Sequence, residues 1–472
     1  MNSKTADDLP KLTPIIHPWV NRCLRQKKLI NRALRIYGSP INIHNTIPFE
    51  ENVRKFKSIF EKYGLKHRIY FARKANKCIS FPKAAYTMGE AIDTASLREL
   101  SQCLSLGIPG RKIITTAAVK NQKLLKTAVN DSVPIVVDND DECLLIQSIG
   151  EETGLEIPVI IRVSHFVQNG EKLYSRFGFP VDHIADWIRM NLGENQKYNK
   201  LSYRGLHFHL NGYSFEHRAI ALCRCLDAIK QLKAYGFETK SLDMGGGFLV
   251  NYLLHKYQWD SFFTELKSAL LGKRSQITFA NDGLGYRVYK GNIIGEPNVY
   301  PFYNELNKEK VLEAILTYQC NGGSPLWKRI SDSQVELRIE PGRSLLDQAG
   351  ITIARVCFRK KDTEDNLLIG VEMNRTQLRS SSADFLLDPI HIPIEKTSSH
   401  PSSGYLVGAY CLEQELILKR KISFSTLPKV GDWIVFPNTA GYMMHFYESE
   451  AHLFELATNL FYKENDLVKD GS

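Results

Sequence analysis

The sequence predicts an α/β protein: a (β/α)8 TIM barrel followed by an all-β C-terminal domain, a sandwich or small barrel. Three observations carry this expectation. Short, β-branched, nearly continuous apolar runs alternate with helical segments through the middle of the chain, as strands covered on both faces by helices do. Polar and charged residues collect at the C-terminal ends of those runs, where a barrel of this kind assembles its site. After about residue 346 the helical period stops, and short strands with turns such as Lys429-Val-Gly-Asp432 take over.

The eight barrel runs are Arg68–Asn76, Ala91–Ser96, Lys112–Ala117, Pro134–Asp138, Pro158–Ser164, Tyr203–Leu210, Ser241–Gly247 and Val335–Pro341. Leu97–Leu106, Lys120–Val129 and Phe215–Tyr235 are among the helical stretches between them. In order, the runs end on Lys74, Asp93, Thr115, Asp138, Arg162, His209, Gly245-Gly246-Gly247, and Glu340 with Arg343. Gly247 and Val335 are separated by 87 residues, too many for an ordinary connection, which predicts an inserted helical subdomain or lid. In the β domain, strands are expected at Ile351–Phe358, Asn366–Glu372, Gly404–Ala409, Leu416–Ser423 and Trp433–Phe436. The expected division is residues 1–43 as a basic lead-in packing with the β domain, 44–345 as the barrel with an insertion at about 250–330, and 346–472 as the β domain.

Composition narrows the class. Hydrophobic residues make up 43% and charged residues 24%, as in ordinary globular proteins. No run of 18 uncharged apolar residues occurs, so no membrane-spanning helix is expected, and the N-terminus lacks a secretory core. Nine scattered cysteines read as reduced thiols in a cytoplasm, and Cys223-x-Cys225 lacks a second pair for zinc, so no metal is expected. The net charge is +10, and the first forty residues hold most of it. A basic amphipathic helix over about His17–Ile36 carries that charge, with Val20, Leu24, Ile30 and Leu34 on one face. It reads chiefly as a surface helix and secondarily as a dock for an anionic partner. No basic and aromatic face for nucleic acid is visible.

The strand-end residues suit a phosphorylated carbonyl cofactor. A Gly-Gly-Gly turn presents backbone N–H groups to a phosphate, Arg343 grips it bidentately, and a lysine amine condenses with an aldehyde. A carboxylate such as Glu340 keeps a pyridine nitrogen protonated. Together these parts describe pyridoxal 5′-phosphate.

Longer blocks follow one another in order: Tyr37-Gly-Ser-Pro40, Phe71-Ala-Arg-Lys-Ala-Asn76, Asp93-Thr-Ala-Ser-Leu-Arg-Glu99, Arg162 within IIRVS, and Ser175-Arg-Phe-Gly178. Gly205-Leu-His-Phe-His209, Leu242-Asp-Met-Gly-Gly-Gly-Phe248, Glu340-Pro-Gly342-Arg343, Gly408-Ala-Tyr-Cys411 and Asn438-Thr-Ala-Gly-Tyr442 complete the series. From about Tyr37 to Tyr442 the chain thereby resembles the fold-type III pyridoxal-phosphate decarboxylases, the diaminopimelate and ornithine decarboxylase group on an alanine racemase-type barrel. The resemblance implies Lys74 as the Schiff-base lysine, His209 stacked on the cofactor ring, and Cys411 as the thiol that protonates the substrate carbon. It implies cofactor contacts from Asp93, Arg162, Gly245, Gly246, Gly247, Glu340, Gly342, Arg343 and Tyr442, and substrate contacts from Arg379 and Glu413. It further implies a head-to-tail homodimer in which Cys411 serves the partner's site, and a small amino-acid-type substrate.

The sequence departs from the family at two places. Asn211-Gly212 stands where Gly-Ser is usual, so Gly212 or Ser214 is left to take the phosphate contact. Leu412 stands where an acid usually reads the substrate's distal amine, with Glu413 and Glu415 following. The expected activity is therefore decarboxylation of an amino acid or an amino-acid conjugate, in polyamine, siderophore or antibiotic metabolism. The alternatives are an amino-acid racemase, a non-catalytic cofactor-binding regulator, and an interaction protein working through its basic helix.

Overall fold

The computed structural model describes residues 9–380, 385–395 and 400–471. The chain opens with helices α1 (Pro18–Arg25) and α2 (Lys27–Tyr37) and strand β1 (Ile41–His44). The barrel half then runs α3 (Ile47–Lys62), β2 (His67–Ala72), α4 (Ser80–Thr87), β3 (Ala91–Thr94), α5 (Leu97–Ser105), β4 (Ile113–Thr115), α6 (Gln122–Asn130), β5 (Ile135–Val137), α7 (Asp140–Thr153) and β6 (Ile157–Ser164). A small hairpin of β7 (Val167–Gln168) and β8 (Glu171–Lys172) follows, then β9 (Phe179–Pro180), α8 (Ile184–Asn191), β10 (Leu201–His207), α9 (Phe215–Ala234) and β11 (Ser241–Asp243). Next come α10 (Lys256–Leu270), β12 (Arg287–Tyr289), β13 (Asn292–Ile294), α11 (Glu309–Thr317), α12 (Leu326–Ser333) and β14 (Glu336–Ile339). The chain closes with β15 (Gly350–Lys361), β16 (Leu367–Val371), β17 (Ile390–Ile392), β18 (Ser402–Val407), β19 (Ile422–Phe424), β20 (Trp433–Pro437), β21 (Thr458–Lys463) and β22 (Asp466–Lys469).

All eight barrel runs form strands, and they close: β10, β11, β14, β2, β3, β4, β5 and β6 pair in parallel, and β6 returns to β10. Alternation along each strand divides the side chains. Tyr70, Ala91, Ile114, Val136 and Ile160 fill the barrel interior, while Ile69, Phe71, Ile92, Ile113, Ile135 and Ile161 face the helices. In the β domain the order is β19-β18-β16-β15-β1-β21-β22, with β20 on β15 and β17 on β20. β1 pairs antiparallel with β15 and parallel with β21, which builds the lead-in to the barrel into the C-terminal sheet.

Several expectations are corrected. The single N-terminal helix is two helices broken at Gln26, and its apolar face is covered: Trp19, Val20, Cys23, Leu24, Ile30 and Leu34 pack on Ile43, Ile351, Ile353 and Trp433. Of the expected Leu416–Ser423 strand only Ile422 and Ser423 are regular, at the start of β19. Leu416, Ile417 and Leu418 are all buried and make one bridge, Val407 to Leu416, so burial rather than pairing explains their apolarity. The insertion is shorter than expected and is not a helical lid. Lys308 N–H bonds Leu249 O at 2.8 Å, so the detour closes there. Beyond it, α11 and α12 belong to the barrel's helical layer, in the same core as α9. Within the detour, Phe262, Leu266, Tyr300 and Phe302 join the β-domain core through Val356, Leu386 and Phe436. The expectation of uniformly reduced thiols also fails, because Cys223 and Cys320 are joined as a disulfide. Their Cα atoms lie 6.4 Å apart across 97 residues, a proximity that spacing in the sequence does not reveal. Among the described residues no helix is long and apolar enough to cross a membrane.

His445 ties the barrel to the β domain. Its Nδ1 accepts Lys77 N–H at 3.1 Å, and its Nε2 faces Asn459 Oδ1 at 2.8 Å, so the neutral ring with its proton on Nε2 satisfies both. Burial, with Lys77 and Arg73 nearby, pushes its pKa down to about 3. An unfolded histidine binds a proton near pH 6.5 and this one does not, so its contribution to stability is complete above that pH and is lost as pH falls below it. Between pH 7.5 and 5.5 this single group should lower stability by about 1.4 kcal/mol. Urea unfolding at both pH values, with His445→Gln alongside, should show a smaller acid loss in the variant by that amount.

Candidate active site

The C-terminal mouth of the barrel opens into a cavity of about 490 Å3. Lys74 enters it from the short helical turn Arg73–Ala75 that ends β2. Its Nζ lies 2.7 Å from Asp93 Oδ2 at the end of β3, and Thr116 Oγ1 donates to the other oxygen at 2.5 Å. Burial works against the charge on Lys74, but Asp93, Glu340 and Tyr442 outweigh it and hold the ammonium above its ordinary pKa. Asp93 itself is raised by burial and by Glu340.

Glu340, at the end of β14, lies on the cavity floor with Oε1 3.1 Å from His207 Nε2. Burial and the charge of Arg162 drive His207 well below the usual histidine pKa, so the neutral ring donates from Nε2. His207 Nδ1 and Asp243 Oδ2 are both buried without a hydrogen-bond partner. Ligand atoms of His207, Asp243 and Glu340 lie within 4.8 Å of one another. Burial first, then the Glu340 charge, raises Asp243 well above the ordinary carboxylate range. Sequence reasoning missed His207 and Asp243. The signal for His207 was available, because residues two apart on a strand share a face and His209 already pointed inward.

His209 lines the cavity, and its Nδ1 accepts Gly246 N–H at 3.1 Å. Burial and Lys74 hold the ring neutral, leaving its proton on Nε2. The glycine turn is required sterically. A Cβ on Gly246 would come 2.5 Å from Glu340 O, and one on Gly247, at φ +91°, would overlap the Arg218 guanidinium. Arg218, on α9, is fully buried and donates to Gly246 O (3.1 Å), Ser214 O (3.0 Å), Leu210 O (3.4 Å) and Gly212 O (2.8 Å). It clamps the Asn211-Gly212 loop to the glycine turn, a function no sequence pattern announced.

Arg343 Nη2 donates to Ser380 Oγ at 3.0 Å and Nη1 to Gly441 O at 3.3 Å. Its guanidinium lies 4.4 Å from the Tyr300 ring and 5.2 Å from Tyr442, so the inserted segment supports it through Tyr300. Tyr442 holds φ at +72°, a sparsely populated conformation for a tyrosine, anchored by its N–H to Ala75 O at 2.9 Å. A Cβ on Gly342 would come 3.0 Å from Tyr442 Oη, so glycine there gives the phenol its place. Arg162 faces Asp138 at 3.8 Å and lies 4.0 Å from the Phe177 ring.

The cavity therefore gathers Lys74, Arg162, His209, Gly246, Gly247, Glu340, Gly342, Arg343 and Tyr442, with Asp93 bonded to Lys74 and Gly245 bonded through its N–H to Asp243 Oδ1 at 2.9 Å. It does not gather Cys411, Glu413 or Arg379. Cys411 and Glu413 are exposed on the β domain, and all three lie outside the lining. Glu415 is buried instead and accepts Arg375 N–H at 2.7 Å, a structural contact of the loop.

These residues fit pyridoxal 5′-phosphate. A lysine amine and a buried carboxylate share one cavity with a turn whose bare glycines a Cβ would block and with the guanidinium of Arg343. Gly246 N–H is engaged by His209, while Gly247 and Arg343 line the same cavity and could hold the phosphate. The family model for the pyridoxal-binding domain of pyridoxal-dependent decarboxylases matches residues 49–285, half of the chain. An uncharacterized protein, y4yA of Sinorhizobium fredii, is 29% identical over 457 residues, covering 96% of this chain and 91% of that one. Diaminopimelate decarboxylase of Bacillus methanolicus is 25% identical over 335 residues, 69% of this chain and 65% of the other. Among solved structures, diaminopimelate decarboxylase from Helicobacter pylori complexed with L-lysine superposes with a TM-score of 0.65 at 17% identity, over 93% of this chain and 95% of that chain. The lysine/ornithine decarboxylase from Vibrio vulnificus gives 0.64 at 15% identity, over 95% and 99%. The barrel, the cavity and the family match together make this chain a member of the fold-type III pyridoxal-phosphate-dependent decarboxylases, the carboxy-lyases that use pyridoxal 5′-phosphate as cofactor.

Proposed function

We propose that the chain removes CO2 from an α-amino acid or from an amino-acid conjugate of the kind used in polyamine and siderophore synthesis. The observation that carries this reading is the single cavity joining the Lys74 amine, the buried Glu340–His207 pair and the Gly247–Arg343 cradle. When bound, pyridoxal 5′-phosphate supplies an electron sink for the pair left on the substrate carbon as CO2 departs. Lys74 holds the cofactor aldehyde and, through Asp93, keeps a proton at Nζ to exchange with the incoming amine. His209 presents a neutral ring to the cofactor face, and Gly246 N–H fixes its tautomer. Glu340, oriented by His207, is the group that would hold a proton on the ring nitrogen of the bound cofactor, a charge that would favour decarboxylation over racemisation. Arg343 and Gly247 N–H would hold the phosphate.

The proton returned to the substrate carbon comes from Cys411. That thiol is exposed and outside the cavity of its own chain, so the reading requires a second copy to present it, in a homodimer with two shared sites. Complementation checks this. Lys74→Ala and Cys411→Ala homodimers should each be inactive toward the substrate found by screening amino acids and conjugates for CO2 release. An equimolar mixture, unfolded and refolded together, should regain about a quarter of the native rate, because half the dimers carry one intact site. A mixture as inactive as its parents would show that Lys74 and Cys411 serve the same subunit's site.

A further inference from the structure

Resting on that decarboxylase reading, we propose that the substrate's far end is anionic and that Arg176, at the cavity mouth, receives it. The charge on the wall is lopsided: Lys74, Arg162, Arg176 and Arg343 line the cavity, against a single acid, Glu340. Each of the other cations is already engaged. Lys74 faces Asp93 at 2.7 Å, Arg162 faces Asp138 at 3.8 Å, and Arg343 is held by Ser380 and Gly441 between Tyr300 and Tyr442. Glu340 is buried on the floor and bonded to His207, so it is not placed to meet an amine at the mouth. Arg176 is exposed and, among the described residues, makes no ion pair; its guanidinium lies 3.9 Å from the Phe177 ring.

The loop that carries Arg176 is built to hold it. Gly178, at φ +80°, bonds through its N–H to Asp138 Oδ1 at 3.0 Å, and a Cβ there would come 3.0 Å from Val163 C. Ser175 Oγ accepts Phe177 N–H at 3.2 Å. Phe177 thus stands in a fixed turn with the guanidinia of Arg162 and Arg176 at 4.0 and 3.9 Å. A guanidinium lying over a ring without an ion-pair partner still has N–H groups to offer, and a carboxylate fits that fork bidentately. Among the residues this chain itself contributes, an ammonium brought to the same wall would meet cations and no free carboxylate, a repulsive arrangement that selects against diamino substrates.

The test uses the holoenzyme and two probes matched in methylene count, adipate and putrescine, with binding read by titration calorimetry. Adipate should bind about tenfold or more tightly than putrescine, and Arg176→Gln should weaken adipate by about 10- to 100-fold, the scale of a charge-assisted hydrogen bond, without weakening putrescine. Arg176→Lys should recover part of the loss. Tighter putrescine binding, no measurable adipate binding, or an Arg176→Gln variant that binds adipate as well as the native protein would overturn the assignment. If that last variant also sediments as a monomer, Arg176 instead pairs with an acid of a second copy. Failure of the underlying decarboxylase reading is visible separately, as an absence of cofactor absorption in the native protein before any probe is added.

Discussion

Lys74→Ala is expected to abolish covalent attachment of pyridoxal phosphate and to lower CO2 release by at least about 10^3-fold, the scale lost with groups that act on reacting atoms. The substitution also removes the cation that answers Asp93 at 2.7 Å and that partly offsets the burial raising the Glu340 pKa. Breaking a buried ion pair costs about 3–5 kcal/mol, but the Lys74 side chain is 32% exposed, so about 1–3 kcal/mol is the expected destabilisation. Lys74→Arg separates the two effects. It keeps a cation beside Asp93 but has no amine to condense with the aldehyde, so stability should return towards native while cofactor absorption stays absent. Absorption spectra and urea midpoints of both variants check this. A Lys74→Ala protein with the native cofactor spectrum would remove Lys74 from its assigned position.

Glu340→Gln is expected to lower turnover by about 10^2- to 10^3-fold, the scale of a removed preorganised electrostatic contact, while cofactor loading persists. Glutamine keeps the volume of the side chain and still accepts the proton of His207 Nε2, so the floor of the cavity is not reshaped. What it lacks is the charge that holds a proton on the ring nitrogen. The change also relieves Asp243 and Asp93, whose pKa values the Glu340 charge helps to raise. It also removes a charge that supports Lys74 and Arg162, so the urea midpoint of the variant, measured beside its rate, separates lost turnover from lost folding. A turnover reduced by less than tenfold, with the cofactor bound, would show that Glu340 fills space rather than holding the proton.

The legible part of this protein was its local chemistry. Strands buried on both faces are written as apolar β-branched runs, and all eight were found because that pattern recurs in alternation with helical segments. Of the residues at their ends, Lys74, Arg162, His209, Gly246, Gly247, Glu340 and Arg343 line one cavity, because barrel closure brings the strand ends to one mouth. The β domain was less legible. β17, β21 and β22 are short, and the apolar Leu416–Leu418 owes its burial to packing rather than to a ladder. The insertion was misjudged because α11 and α12 look alike in sequence whether they belong to a lid or to the barrel's own layer, and only their packing with α9 decides it.

The sequence by itself determined the barrel and the pyridoxal-phosphate cofactor, since both follow from side-chain type, period and strand position. Tertiary structure alone decided the contacts between residues distant in the chain. It paired His207 with Glu340 across 133 residues and set Tyr300 of the insertion over Arg343. It also locked Cys223 to Cys320, and it kept Cys411 out of the cavity of its own chain. The physical reason is that propensity and periodicity act over a few residues, whereas a hydrogen bond, a stacked ring or a charge in a closed cavity depends on which segments the packed core brings within a few ångströms.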